Sequence, residues 1–256
     1  MTDGANRSEE SDRHTDHEPW ELHARWWQRQ FTAGADPEYE EQILPLARSY
    51  LQESQRVLDI GTGEGQVARA AVEAGVPFVV GCDLSTAQII EAARRAGGPR
   101  YLRAAAHCLP FAGSTFDAVV ICLVLEHVDE LEATIAEAAR VLAPGGVFVL
   151  FLNHPLLQTP GSGWIDDQIL DPPEQYWRVG PYLEETATVE EVERGIHIRF
   201  IHRPLSRYVN AMARCGLLVE RMDEPPPPPG FLARAPEYPA AASIPRLLLL
   251  VARRHA

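Results

Sequence analysis

Between residues 56 and 152, short apolar runs take turns with longer segments whose apolar residues recur at three and four positions. The runs predict strands over 56–60, 78–83, 101–103, 117–123 and 147–152. The periodic segments predict helices over 64–74, 86–96 and 130–142. The strands are apolar nearly throughout, as expected where helices cover both faces of a sheet. Such alternation of strand and helix implies right-handed crossovers and a parallel sheet. Pro144-Gly145-Gly146 is expected to stop the third helix and release the fifth strand.

Outside this block the pattern changes. Residues 1–17 are charged and lack recurrent apolar positions, which predicts a disordered acidic tail. Residues 18–52 predict two helices. The first carries Trp20, Trp26, Trp27 and Phe31, either a stripe facing the core or a lid over a pocket. After Leu152 the rhythm breaks. Residues 153–204 are rich in Pro, Gly, Trp and Tyr without clean periodicity, and long loops of this kind in a compact domain tend to be functional. A helix over 205–214 and strands over 217–222 and 246–252 then return. Between them Pro225 to Pro229 form an unbroken run, a stiff connector or a partner-binding segment. The resulting division is a tail (1–17), a helical lid (18–52), a core (53–152), an inserted cap (153–204) and a returning part of the core sheet (205–256).

The 256 residues suffice for one large α/β domain, and the net charge of −13 repels phosphate backbones. Nucleic acid is therefore not expected as a partner. Cys82, Cys108, Cys122 and Cys215 form no C-x-x-C pair, which suits a reducing compartment. No apolar run reaches the ~18 residues of a membrane span, and no signal-peptide pattern opens the chain. The expectation is a cytoplasmic protein with no membrane partner.

The chemistry is concentrated in Asp59-Ile60-Gly61-Thr62-Gly63-Glu64-Gly65, where a strand runs into a helix. Glycines there allow a tight turn and close approach of a ligand to the backbone. A dinucleotide fingerprint needs its third glycine at 66, and that residue is Gln66. A phosphate-binding G-x-x-x-x-G-K-[ST] loop is also absent from the sequence. Asp83 ends the second strand, where an acid can bind a ribose diol. Further along come Leu109-Pro110-Phe111, Phe116-Asp117-Ala118-Val119, Leu125-Glu126-His127-Val128 and Arg140-Val141-Leu142-Ala143-Pro144-Gly145-Gly146. Taken in this order, the motifs resemble the class I S-adenosylmethionine-dependent methyltransferases, in the ubiquinone/menaquinone-type branch, over about residues 55–152.

The resemblance implies a Rossmann-like fold with a seven-stranded, mostly parallel sheet, its last strand antiparallel. It implies S-adenosyl-L-methionine as cofactor. Gly61, Thr62, Gly63 and Gly65 would surround its methionine part, with Asp59 supporting the turn. Asp83 would bind the ribose, Leu84 would pack on adenine, and Leu123 would lie beneath the sulfonium. This branch usually has an acid before Leu-Pro-Phe that accepts from the adenine amine, and here Ala105 stands at that place. Adenine would then be held near Ala106 and His107, or by His107 itself.

Methyl transfer from a sulfonium needs mainly in-line positioning. A general base helps if the acceptor is a hydroxyl or a carbon acid. The candidates are His154, at the carboxyl edge of the sheet, and the pair Glu126-His127, for which a structural role is the alternative. Metal-using relatives carry an acid three residues before that pair; Leu123 occupies the place, so no metal is expected. Trp26, Trp27, Trp164, Tyr176, Tyr182 and Tyr208 are candidate substrate contacts, or else the small core of a cap. The leading expectation is methylation of a small molecule at O, N or C, with a homodimer compatible with the sequence. The alternatives are a methyltransferase acting on RNA or protein, and a non-methylating protein that binds the same cofactor.

Overall fold

The computed structural model describes residues 17–31, 36–234, 236 and 238–255; the expected acidic tail, but for residue 17, lies outside them. The chain opens with α1 (His17–Phe31). A π-helical turn, Tyr39–Ile43, runs into α2 (Leu44–Leu51). The core then follows as β1 (Arg56–Ile60), α3 (Gln66–Glu73), β2 (Phe78–Asp83), α4 (Thr86–Arg95), β3 (Arg100–Arg103), β4 (Phe116–Cys122), α5 (Leu131–Val141) and β5 (Leu142–Asn153). After a short α6 (Pro155–Gln158) come β6 (Gly163–Asp167), β7 (Glu174–Arg178), β8 (Thr186–Glu193) and β9 (Ile196–His202). The chain closes with α7 (Leu205–Arg214), β10 (Leu217–Asp223) and β11 (Leu247–Arg254).

Seven strands form one sheet in the order β10-β11-β5-β4-β1-β2-β3. β1 pairs in parallel with both β2 and β4. β11 is antiparallel to β5 and β10. Alternate side chains of each central strand point to opposite faces. Leu58, Ile121 and Phe148 pack with Leu131 and Ile135 of α5 and Met212 of α7. Val57, Val120 and Val149 pack with Leu44 and Leu51 of α2 and Ala68 of α3. Each such buried aliphatic or aromatic side chain contributes roughly 1.5–3 kcal/mol. This two-sided burial is why the strands read as continuous apolar runs.

Two details differ from the expectation. β5 begins at Leu142, directly after α5, so Pro144-Gly145-Gly146 lies inside the strand. There the β4–β5 register shifts, and Arg253 donates to the Gly145 carbonyl at 2.9 Å. The segment after Leu152 is also regular: β6–β7 and β8–β9 are two antiparallel hairpins. One strand of each hairpin, β7 and β8, is mostly exposed, so little apolar patterning marks it in the sequence. No described helix is long and apolar enough to cross a membrane.

Arg203, just beyond β9, is buried and ties the insertion to the core. Its guanidinium donates to the carbonyls of Leu125 (2.7 Å), Val128 (2.7 Å) and Asp129 (3.3 Å). Arg203→Ala would remove this donor from the Leu125 and Val128 carbonyls, while the Asp129 carbonyl keeps the Leu131 N–H. We expect a loss of roughly 3 kcal/mol in denaturant unfolding; a loss below about 1 kcal/mol would mean that the loop after β4 is held by other contacts.

Candidate functional site

A cavity of about 460 Å³ opens at the carboxyl ends of β1, β2 and β4, beneath α1. The strand order reverses on either side of β1, and open α/β sheets bind ligands at such a switch point. The volume lies within the usual range for small-molecule sites.

The turn after β1 forms one wall. The N–H groups of Gly61 and Thr62 both donate to the Cys82 carbonyl, at 2.8 and 2.9 Å. The Thr62 hydroxyl donates to Asp59 Oδ2 at 2.6 Å. Gly61 has φ +71°, and a Cβ there would lie 2.3 Å from Val124 Cγ2. A Cβ on Gly63 would meet nothing within 4 Å, so the backbone is bare towards the cavity at that point. Gly65 stands behind the turn at the start of α3, against the Tyr101 ring, and does not line the cavity.

Asp83 stands beside this turn. Its Oδ2 accepts from the Gly63 N–H at 2.9 Å and its Oδ1 from the Ser85 N–H at 2.8 Å. Burial raises its pKa, and the two N–H bonds offset part of that rise. Asp59 is driven up to about 7 by burial, against the bond from Thr62. The cavity lining contains the acids Asp59, Glu64, Asp83 and Glu130 and, among the described residues, no lysine or arginine. Its chemistry therefore favours a neutral or cationic ligand with hydroxyl groups.

Leu84, Ala104, Ala105, Ala106 and His107 form the far end. The loop after β4 crosses beneath as Leu123, Val124, His127 and Val128. Leu123 takes φ +54°, uncommon for a branched side chain and typical of a functional turn held by its surroundings. His127 Nδ1 lies 2.8 Å from the Arg199 carbonyl. A carbonyl only accepts, so Nδ1 carries the proton, and burial holds the ring's pKa near 4. His127 is thus neutral at neutral pH, with Nε2 as its unprotonated nitrogen.

Trp27 and Tyr39 line the remaining side, linked through Phe31, which stacks on Trp27 at 4.1 Å. Burial raises the Tyr39 pKa, so its hydroxyl stays protonated. α1 is fastened on two sides. Glu21 accepts from the Ser85 hydroxyl (2.8 Å) and the Ala87 N–H (3.1 Å), and Gln28 donates to Gln88 at 2.9 Å. Trp26 Nε1 donates to Glu193 of β8 at 2.5 Å.

Several residues singled out in the sequence stand elsewhere. Glu126 is buried beside the cavity, outside its lining; its Oε1 accepts from Asn153 Nδ2 at 2.8 Å, which ties the post-β4 loop to β5. His154 caps α6 by accepting from the Leu156 N–H at 3.1 Å, and its Nε2 meets Glu224 at 2.7 Å. Both ring nitrogens are engaged away from the cavity, so His154 is not placed to act as base. Trp26 is packed under α1 rather than against the cavity. Trp164 stacks on Tyr238 and pairs with Trp177, and Tyr176 is largely exposed on the same hairpin. The Tyr182 hydroxyl accepts from the Leu205 N–H, and Tyr208 belongs to the core under α7. None of the four lines the cavity. Conversely, Tyr39, Gln88, Cys122 and Glu130 line the cavity without having been marked by any motif.

Residues 58–150 match a family model described as a methyltransferase domain. Over 96 residues the chain is 38% identical to a demethylmenaquinone methyltransferase of Beutenbergia cavernae, covering 38% of this chain and 40% of that one. Over 102 residues it is 34% identical to a malonyl-[acyl-carrier protein] O-methyltransferase of Enterobacter lignolyticus, covering 40% of each. The chain thus spans about 40% of the length of these curated relatives. The crystal structure of an S-adenosylmethionine dependent methyltransferase from Mesorhizobium loti is similar with TM-score 0.69 at 29% identity, over 82% of this chain and 96% of that one.

Burial holds Asp59 and Glu126 near 7 in the folded protein, above carboxyls of the unfolded chain at ~4. The folded state keeps protons that the unfolded chain releases. The stabilisation is complete below about pH 4 and is lost as pH rises through about 7. The melting temperature of the ligand-free protein should therefore fall between about pH 5 and about pH 8. Glu126→Gln should flatten that fall; an unaltered slope would show that Glu126 is ionised throughout.

Proposed function

We propose that this chain, a class I Rossmann-like methyltransferase by the family match of residues 58–150, transfers a methyl group from S-adenosylmethionine to a small molecule. The observation that carries the reading is one continuous cavity running from the bare backbone at Gly63, past Asp83, to Ala104–His107. A nucleoside joined to a cationic amino acid fits it in shape and in charge. Asp83 would take the ribose hydroxyls. Leu84 would cover a face of the adenine, and Gly61 to Glu64 would surround the amino-acid end. An acidic wall with, among the described residues, no lysine or arginine suits a ligand bearing sulfonium and ammonium groups. When bound, S-adenosylmethionine supplies a methyl group already activated on sulfur.

The chain's own residues then position and exclude. Trp27 and Tyr39 would cover the methyl end and keep water from it, with α1 and β8 fastened above. His127, held neutral by burial, sets no second positive charge beside the sulfonium. Its unprotonated Nε2 would accept a hydrogen bond from the acceptor and orient it, with Nδ1 fixed on Arg199. The aromatic wall favours an aromatic or apolar acceptor, such as the demethylmenaquinone named for the Beutenbergia relative. α1 and the hairpin β8–β9 would act as the lid and cap.

Asp83→Ala should weaken binding of S-adenosylmethionine by roughly 1–3 kcal/mol in calorimetry. Unchanged affinity would remove Asp83 from the site. With methyl-labelled S-adenosylmethionine and a cell extract, label should enter the small-molecule fraction; label confined to RNA or protein would overturn the acceptor class. His127→Ala should raise KM for the acceptor more than it lowers kcat, whereas a loss of roughly a hundredfold in kcat would make His127 the group that takes the acceptor proton.

A further inference from the structure

We infer that Glu130 reads the adenine base, accepting a hydrogen bond from its exocyclic amine, with His107 positioning the carboxylate. The inference rests on the cavity being the S-adenosylmethionine site. Two loops close its far end: residues 104–107 after β3, and residues 128–130 before α5. Leu84, Ala104, Ala105, Ala106 and Val128 offer only aliphatic groups there. These suit the flat faces of a purine and leave its polar edge without a side-chain partner. A buried amine needs an acceptor.

The other three carboxylates on the cavity are engaged. Asp59 holds Thr62, and Glu64 is paired with Arg69 at 2.8 Å and Arg95 at 3.0 Å. Asp83 accepts from Gly63 and Ser85, beside the turn. The Glu130 carboxylate, by contrast, makes among the described residues only a long contact, with its Oε2 3.7 Å from His107 Nδ1. Both side chains belong to the cavity lining, and both remain about half exposed. A carboxylate only accepts, so it matches an amine and rejects a carbonyl at the same place. The 3.7 Å approach to His107 places the Glu130 carboxylate on the side of the 104–107 loop.

Calorimetry with S-adenosylhomocysteine and S-inosylhomocysteine, which carries a carbonyl in place of the amine, tests this on the whole chain. Wild type should bind the adenine ligand roughly tenfold or more tightly than the inosine ligand. Glu130→Ala should abolish that preference by weakening the adenine ligand alone. Glu130→Gln, whose amide can also donate, should tighten the inosine ligand. His107→Ala should narrow the preference without removing it. A Glu130→Ala protein that keeps the wild-type ratio overturns the role of Glu130 while leaving the cofactor site standing. Failure of wild type to bind either ligand overturns the cofactor reading and this inference with it.

Discussion

The site depends on one carbonyl. Cys82 ends β2 and accepts from the N–H groups of both Gly61 and Thr62, so the turn after β1 is fastened to the neighbouring strand. The next residue, Asp83, accepts from the Gly63 N–H. Three consecutive backbone donors of the turn are thereby fixed to the end of β2. The bare backbone at Gly63 and the carboxylate beside it therefore share one rigid frame. The parallel pairing of β1 with β2, Asp59 opposite Gly81 and Ile60 opposite Cys82, sets that alignment. Even the partner strand is adapted to the turn: a Cβ at Gly81 would lie 2.6 Å from the Thr62 hydroxyl oxygen.

Burial gives this frame its electrostatics. Asp59, Asp83 and Glu126 all sit where desolvation raises their pKa, and hydrogen bonds recover only part of the cost. The same burial lowers His127 and keeps it uncharged. A ligand that brings positive charge to the acids relieves an unfavourable term already present in the empty protein. On the proposed function, a preference for a cationic nucleoside would in this sense be a property of the desolvated fold, set before any ligand contact is made.

The core was legible because its signals are local and repeated. Residues 56–60 and 78–83 read as strands and fold as strands with the same limits. The glycine turn is visible because tight turns and close backbone approach demand particular residues. The insertion was not legible, since ribbons such as β8, exposed along nearly their whole length, carry no burial pattern to read. Nor could the sequence separate His127 from His154. Both follow core strands and both look polar in an apolar setting. Only the partners distinguish them: His127 lines the cavity, while His154 is spent on α6 and Glu224. Tyr39 was hidden for another reason, as it reaches the cavity from a π-helical turn that periodicity renders as ordinary helix.

The division between what is shared and what is particular follows the same boundary. The segment matching the methyltransferase domain ends at residue 150 and contains every cavity residue except Trp27 and Tyr39. Those two come from the elements before β1, and the contact that latches α1 across the top, Trp26 to Glu193, comes from the insertion. Relatives named for acceptors as different as demethylmenaquinone and malonyl-acyl carrier protein match this chain over 38% and 40% of its length. The aromatic wall made by α1 and the π-helical turn lies outside the two hydrogen bonds of the Cys82 clamp, while α1 reaches Asp83 through Ser85, whose hydroxyl donates to Glu21 and whose N–H donates to Asp83. On the proposed function, acceptor choice would lie with Trp27 and Tyr39 and cofactor geometry with the clamp, while the contact of Trp26 with Glu193 ties α1 to the insertion.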